Sequence, residues 1–443
     1  MDSVHPVGEG RVTVRTSTPG SPTSTRPSNA SPVDASFASV PALFPALADP
    51  AHTYLDSAAT TQKPVPVIDT VTRYHRERTA NAGRGSYPWS TALAGRITEI
   101  RARTAAFLGA GHTDEIVFTP GATAALNAVA LCWGLAVLDD GDEILYSPAD
   151  HASNVLPWHH LRGLLGRAGR RIDLVPYATT RRGTADIDDI LARASPRTRL
   201  VTVAHLHHVY GGRTDVAALR AGLDRRVALC VDASQSAGHL PLDVTALGAD
   251  FTVLAAHKMF GAPGLGVLYC GRRVHDSLLP FLPGGNSGVR VGDSGLESTG
   301  MPHLLEGGTP DIPAVLALGS ALDVLESLGR DRIAAHNHLL TRRLIDGLRT
   351  VPGLDFLPGP AHGPETDGDG IVSFTLDGIA AADLGFVLAE HGFLVRTGSH
   401  CVPAAHHAAP HRDSVRVSTH VYTTVEQIDR FVRCVATIAE EVT

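Results

Sequence analysis

Ala-Ala-His-Lys-Met-Phe-Gly, residues 255–261, sets Lys258 just past the apolar run Phe-Thr-Val-Leu (251–254). Twenty-six residues earlier, Asp232 opens Asp-Ala-Ser-Gln after another apolar run, Val-Ala-Leu-Cys-Val (227–231). Each polar group stands where a buried strand should stop, and α/β sheets bind ligands at such ends. The lysine runs into a loop with Gly261, Pro263 and Gly264, and desolvation there lowers an ammonium toward amine chemistry. A lysine able to form a Schiff base, with an aspartate for a pyridine nitrogen, is the equipment of pyridoxal phosphate enzymes. The competing reading of the pair is a capping Asp and an unrelated exposed Lys.

Outward from this pair, short β-branched runs alternate with helical stretches. Residues 115–119, 143–147, 173–177, 200–204, 228–232, 251–254 and 266–269 read as seven strands, with helices near 122–138, 152–168, 186–194 and 214–222. That order predicts an α/β fold around a mostly parallel seven-stranded sheet. Beyond about residue 312 the pattern becomes α+β, with helices over 313–328 and 331–350 and strands near 371–376, 393–396 and 415–419. The division expected is a Ser/Thr/Pro-rich disordered tail (1–48), a large domain (49–312) and a small C-terminal domain (313–443), with a surface loop at 358–370.

Composition narrows the function. The 443 residues are 43% hydrophobic and 19% charged, and no apolar run approaches the ~20 residues of a membrane span. A net charge of −7 without a long basic block argues against nucleic acid. Five scattered cysteines form no Cys-x-x-Cys pair, which makes disulfides and structural zinc improbable. Cys132 and Cys230, in apolar sequence, read as core, whereas Cys401 lies among polar and small neighbours. His205, His207 and His208 do not share one strand face, so no metal site is expected of them. The N-terminus lacks the apolar stretch of a secretory signal, and a cytoplasmic location is the simpler expectation.

Other residues could complete a cofactor cradle. Pro-Gly-Ala-Thr-Ala-Ala-Leu-Asn (120–127) follows the first sheet strand and opens a helix, where backbone amides and the Thr123 hydroxyl suit a phosphate. His151, after the second strand, could stack on a flat ring; Gln235 could donate to a ring hydroxyl oxygen, and His257 could bind phosphate.

The chain resembles the class V aminotransferase group of fold-type I pyridoxal phosphate enzymes, most of all cysteine desulfurases of the SufS/CsdA type, from about residue 52 onward. The stretches that carry the resemblance are Tyr-Leu-Asp-Ser-Ala-Ala-Thr-Thr-Gln-Lys-Pro (54–64), Asn127, Asn-Val-Leu-Pro-Trp (154–158), Val-Asp-Ala-Ser-Gln-Ser (231–236), His-Lys-Met-Phe-Gly (257–261), Glu-Gly-Gly-Thr-Pro-Asp (306–311) and Arg-Thr-Gly-Ser-His-Cys (396–401). The resemblance implies that Lys258 carries pyridoxal 5'-phosphate as a Schiff base, Asp232 pairs with its pyridinium nitrogen, His151 stacks on its ring and Gln235 meets its phenolate oxygen. Thr123 and His257 would hold phosphate, joined by Thr309 of the partner subunit in a homodimer with shared sites. Arg416 would bind the substrate carboxylate, and Cys401 would be the nucleophile that takes sulfur from L-cysteine, or a cysteine derivative, for transfer to an acceptor protein. His400 and Arg396 are sequence-near candidates to ionise the Cys401 thiol, and Arg396 and His208 are expected beside Arg416 in the substrate site.

Departures from the family pattern gather around substrate and phosphate. Ala255 and Ala122 stand where hydroxyl residues are expected, each hydroxyl worth about 0.5–1.5 kcal/mol as a neutral hydrogen bond. His207-His208 replaces Ser-Asn, putting His208 where an Asn meets cofactor and substrate. Tyr87 and Ser399 each replace a His, and 402–411 is Ala/His/Pro-rich. These changes leave two rivals open. One is a divergent enzyme of the same cofactor (epimerase, aminotransferase or bond-forming catalyst) that does not use Cys401. The other is a non-catalytic scaffold.

Overall fold

The computed structural model describes residues 37, 39–82, 85–293, 295–357, 368–402 and 413–442. Of the predicted tail (1–48), residues up to 36 lie outside the described residues, as do most of the loop at 358–370 and the Ala/His/Pro-rich stretch from 403, whereas Val40–Leu43 and Pro45–Leu47 form short 3-10 turns with Phe37, Val40 and Phe44 in the main core. Ala35–Thr443 form one compact unit.

Seven strands form the main sheet, in the spatial order Ile116–Thr119, Gly266–Cys270, Phe251–Ala255, Ala228–Asp232, Thr198–Ala204, Glu143–Tyr146 and Asp173–Pro176. Only Gly266–Cys270 runs antiparallel to its neighbours, so the expectation of a mostly parallel α/β sheet holds. The central strands Ala228–Asp232 and Phe251–Ala255 are buried at every residue, as parallel strands covered on both faces must be. Asp173–Pro176 is partly exposed and sits at the sheet edge, where a proline that cannot donate to the ladder is tolerated.

The parallel strands Phe251–Ala255, Ala228–Asp232, Thr198–Ala204 and Glu143–Tyr146 end at the same edge of the sheet. Two features there depend on glycine. Gly121 turns the chain into the helix starting at Ala122 with φ of 94°. Gly266 opens the antiparallel strand beneath that turn, and a Cβ on it would lie 2.3 Å from the Gly121 carbonyl carbon. The helix predicted at 122–138 runs from Ala122 to Val137 but passes through a π-helical segment at Val129–Gly134, whose wider turn sequence periodicity does not announce.

A four-stranded antiparallel sheet, ordered Leu354–Phe356, Ile371–Leu376, Ser414–Ser418 and Arg396–Gly398, packs with helices Arg330–Leu348, Ala381–Glu390 and Val425–Val442 around Phe374, Phe431 and Val417. The single strand expected at 393–396 is corrected by the structure. Phe393–Leu394 pairs in parallel with Thr53–Tyr54, and Arg396–Gly398 pairs with Ser414–Ser418. The chain changes sheets at Val395, and this brings residues 53–56 against the C-terminal part. An Asp56–Ser418 bridge completes that junction. Helices Val65–Glu77 and Pro88–Leu108 and the hairpin Val289–Gly292/Gly295–Ser298 were not foreseen. Among the described residues no single helix is long and apolar enough to cross a membrane.

Candidate active site

A cavity of about 410 Å³ lies at the strand ends and gathers most of the predicted residues: Thr123, His151, His208, Asp232, Gln235, His257, Lys258, Arg396, Cys401 and Arg416 all line it. Ala122 and Ala255, the two positions short of a hydroxyl, line it too. Thr309 does not. It is exposed on the rim of an adjoining cavity of about 580 Å³ that shares Pro120 and Gly264 with the first.

Lys258 ends a single turn of 3-10 helix, Ala256–Lys258, directly after its strand. The segment 60–63 fixes that turn: the His257 carbonyl accepts from Thr61 N (3.0 Å), from the Thr60 and Thr61 hydroxyls (3.1 Å each) and from Lys63 Nζ (2.9 Å). Burial pushes the Lys258 ammonium down to about 8, against the opposing pull of Asp232. Burial likewise pushes His257 down to about 4, so this imidazole is neutral at pH 7. Asp232 is 8% exposed at the last position of its strand, and its Oδ1 accepts from Ser234 N at 3.0 Å.

His151 caps the helix Ala152–Arg167, its Nδ1 accepting from Ser153 N at 3.1 Å. The neutral ring therefore carries its proton on Nε2. Burial, then the Lys258 charge, lower its pKa. Behind it, Asp150 accepts from Asn154 Nδ2 (2.8 Å), and Thr202 donates to Asn154 Oδ1 (2.6 Å). Burial raises the Asp150 carboxyl to about 7.

Three cationic side chains, Lys258, Arg396 and Arg416, line the cavity with one carboxylate, Asp232. Arg396 and Arg416 face each other across antiparallel strands. Arg416 is 3% exposed, donates from Nη1 to the His208 carbonyl (3.0 Å) and pairs through Nη2 with Asp56 (3.1 Å). Burial raises the Asp56 carboxyl while Arg416 pulls it back. The excess positive charge suits an anionic ligand. Cys401 is exposed, and both it and His400 adopt left-handed backbone (φ 65° and 51°), which costs about 1–3 kcal/mol per non-glycine residue.

The three histidines of 205–208 go separate ways. His205 Nδ1 meets Ser236 Oγ (2.9 Å) and His207 Nε2 donates to the Ala149 carbonyl (2.9 Å). His208 Nε2 donates to the His400 carbonyl (3.1 Å), with its ring edge-on to His151 at 5.0 Å between centroids.

Sequence reasoning missed Asp56, Asp150 and Ser153. Ser153 lines the cavity with its Oγ 2.8 Å from that of Thr123, so a hydroxyl does stand beside the two alanines. Its signal was its place in the first turn of a helix that opens onto a phosphate-sized cradle.

Comparison with known proteins agrees with this geometry. The cysteine desulfurase of Klebsiella pneumoniae is 36% identical over 383 residues, covering 86% of this chain and 91% of that protein. A probable cysteine desulfurase of Vibrio cholerae is 33% identical over 405 residues, 91% and 97% of the two chains. Among solved structures, an apo cysteine desulfurase from Thermococcus onnurineus superposes with a TM-score of 0.83 at 29% identity, covering 91% of this chain and 98% of its own. The family model for class-V aminotransferases matches residues 53–431, and the chain belongs to that family.

Proposed function

We propose that this protein is a pyridoxal phosphate-dependent cysteine desulfurase that moves the sulfur of L-cysteine onto Cys401. The observation that carries the reading is one cavity holding a half-buried lysine of lowered pKa, a buried carboxylate, a buried arginine and an accessible thiol.

The residues present fit the cofactor. Gln235 Oε1, Ser234 Oγ and Arg416 Nε are buried without a hydrogen-bond partner, a cost of about 1–3 kcal/mol apiece unless a ligand meets them. Pyridoxal phosphate supplies an aldehyde that condenses with amines and a pyridinium that stabilises negative charge at Cα of a condensed amino acid. Lys258 would hold it, Asp232 would keep its ring nitrogen protonated and His151 would cover one face. Gln235 Nε2, which already donates to the Ala58 carbonyl (2.9 Å), has a second hydrogen for the ring oxygen. The hydroxyls of Thr123 and Ser153, His257 and the first amides of the helix from Ala122 form the phosphate end.

Arg416 receives the substrate carboxylate, with Nε and the second hydrogens of its terminal nitrogens as donors. The Lys258 amine would take the Cα proton and later return it. The Cys401 thiolate attacks the substrate sulfur: an S–S bond forms, the Cβ–S bond breaks, and its electron pair stays with carbon. Protonation of that carbon, with return of the Cα proton by Lys258, gives alanine, and Cys401 keeps the sulfur as a persulfide. The exposure of Cys401 suits handover to an acceptor thiol on another protein, and five free cysteines suit a reducing compartment such as the cytoplasm. A second copy of the chain would bring Thr309 of the partner subunit to the phosphate end, because Thr309 shares the Pro120 and Gly264 wall from outside.

The test is incubation with L-cysteine and a thiol reductant, counting alanine and sulfide. Equal yields are expected from the native chain and neither product from Cys401→Ala. Full alanine production by Cys401→Ala would refute the role of the thiol.

A further inference from the structure

We propose that His208 is a positioning residue for the nucleophile, a clasp that holds the Cys401 turn over the cavity and ties it to the arginine that receives the substrate. This rests on Cys401 being the nucleophile.

The turn is a conformation that two non-glycine residues do not hold unaided, since His400 and Cys401 are both left-handed. Within the turn, Val402 N donates to the Ser399 carbonyl at 2.8 Å. The remaining anchors come from elsewhere. Ala152 N, at the start of the helix capped by His151, donates to the Cys401 carbonyl (3.2 Å). His400 Nε2 meets Ser414 Oγ (2.9 Å), on the strand that carries Arg416. His208 Nε2 donates to the His400 carbonyl (3.1 Å). A carbonyl only accepts, which fixes the neutral ring with its proton on Nε2.

Among these anchors His208 also reaches the arginine and the stacking histidine. Its carbonyl accepts from Arg416 Nη1 at 3.0 Å, its ring meets His151 edge-on, and it stacks on His207 at 5.0 Å between centroids. His207 is itself locked, with Nε2 on the Ala149 carbonyl and Nδ1 accepting from Val209 N and Tyr210 N at 3.2 Å. The clasp therefore has a rigid base. An asparagine at position 208 ends short of the imidazole Nε2, so the change from the family pattern gives this chain a tether across the cavity that the shorter side chain does not supply. The expected consequence is a less mobile nucleophile.

The variants are His208→Phe, which keeps ring volume and removes the donor, and His208→Gln, which keeps an amide donor of similar reach. In the holoenzyme, iodoacetamide labelling is followed at each cysteine, with the buried Cys230 and Cys270 reporting on folding. The Phe variant should label Cys401 about two- to tenfold faster, the opening that one lost hydrogen bond allows, with Cys230 and Cys270 still protected. Its kcat for L-cysteine should fall more than its KM rises, and His208→Gln should return toward the native values. Equal Cys401 labelling in all three proteins overturns the clasp, as does a Gln variant that labels as fast as Phe. If Phe exposes Cys230, the decision passes to Gln: a native rate supports the clasp and a fast one refutes it. A native enzyme that makes no alanine would refute the desulfurase reading alone, because the labelling comparison does not depend on turnover.

Discussion

A lysine that must condense with a carbonyl has to be an amine, and Lys258 is held close to that state. Burial lowers it to about 8, while Asp232, Cys401 and Asp56 keep it from falling further. The amine fraction therefore rises as pH rises through about 8. Recombination of the cofactor-free chain with pyridoxal phosphate should accelerate over the same range, read from the growth of visible absorbance. Asp232→Asn removes an opposing charge and should move that rise to lower pH. A rise near about 10.4, the ordinary lysine value, would contradict this account of the pocket. Residues of this kind were legible in the sequence because each polar group breaks off an apolar run: Asp232 after Val231, Lys258 after Ala255 and Ala256. Ser153 and Asp56 were not, since neither stands at such a break. Their roles come from partners far along the chain, Thr123 for one and Arg416 for the other.

Elements place these residues, and one tight constraint at the site is where the strand from Gly266 passes under the turn at Gly121. A methyl group on Gly266 would meet the Gly121 carbonyl carbon and the Ala122 nitrogen at 2.3 and 2.7 Å, so backbone has to move. Gly266→Ala should displace the turn that presents Thr123 and weaken pyridoxal phosphate binding about tenfold or more, in keeping with the ~1–3 kcal/mol of overpacking. Gly163→Ala, in a helix with open space around the added carbon, is the control and should bind as the native chain does. Unchanged affinity in Gly266→Ala would show that the turn does not hold phosphate. The inner strands of the sheet were legible because burial on both faces demands unbroken apolar runs. Helix Pro88–Leu108 was not, because Ser90 and Thr104 are buried beside Leu93 and Ile100, and the apolar stripe is interrupted. The hairpin at 289–298 has no buried face, as Val291 and Leu296 point outward at 86% and 63% exposure.

Exposed apolar side chains on a two-stranded hairpin need a cover, and a second copy of the chain is the proposed one. Sedimentation of the purified protein should give the mass of two chains, and Val291→Asp with Leu296→Asp should shift it toward one. A single-chain mass for the native protein would remove the shared-site reading and leave Thr309 without a function. The proposed dimer and the strand-end cavity converge on one proposed event, the arrival of sulfur on Cys401. The most direct test is to expose the holoenzyme once to L-cysteine without reductant, alkylate it, and weigh the Cys401 peptide. The account predicts a gain of one sulfur atom at Cys401, matched by one alanine and absent from Lys258→Ala. Alanine released with no added sulfur on Cys401 would contradict it.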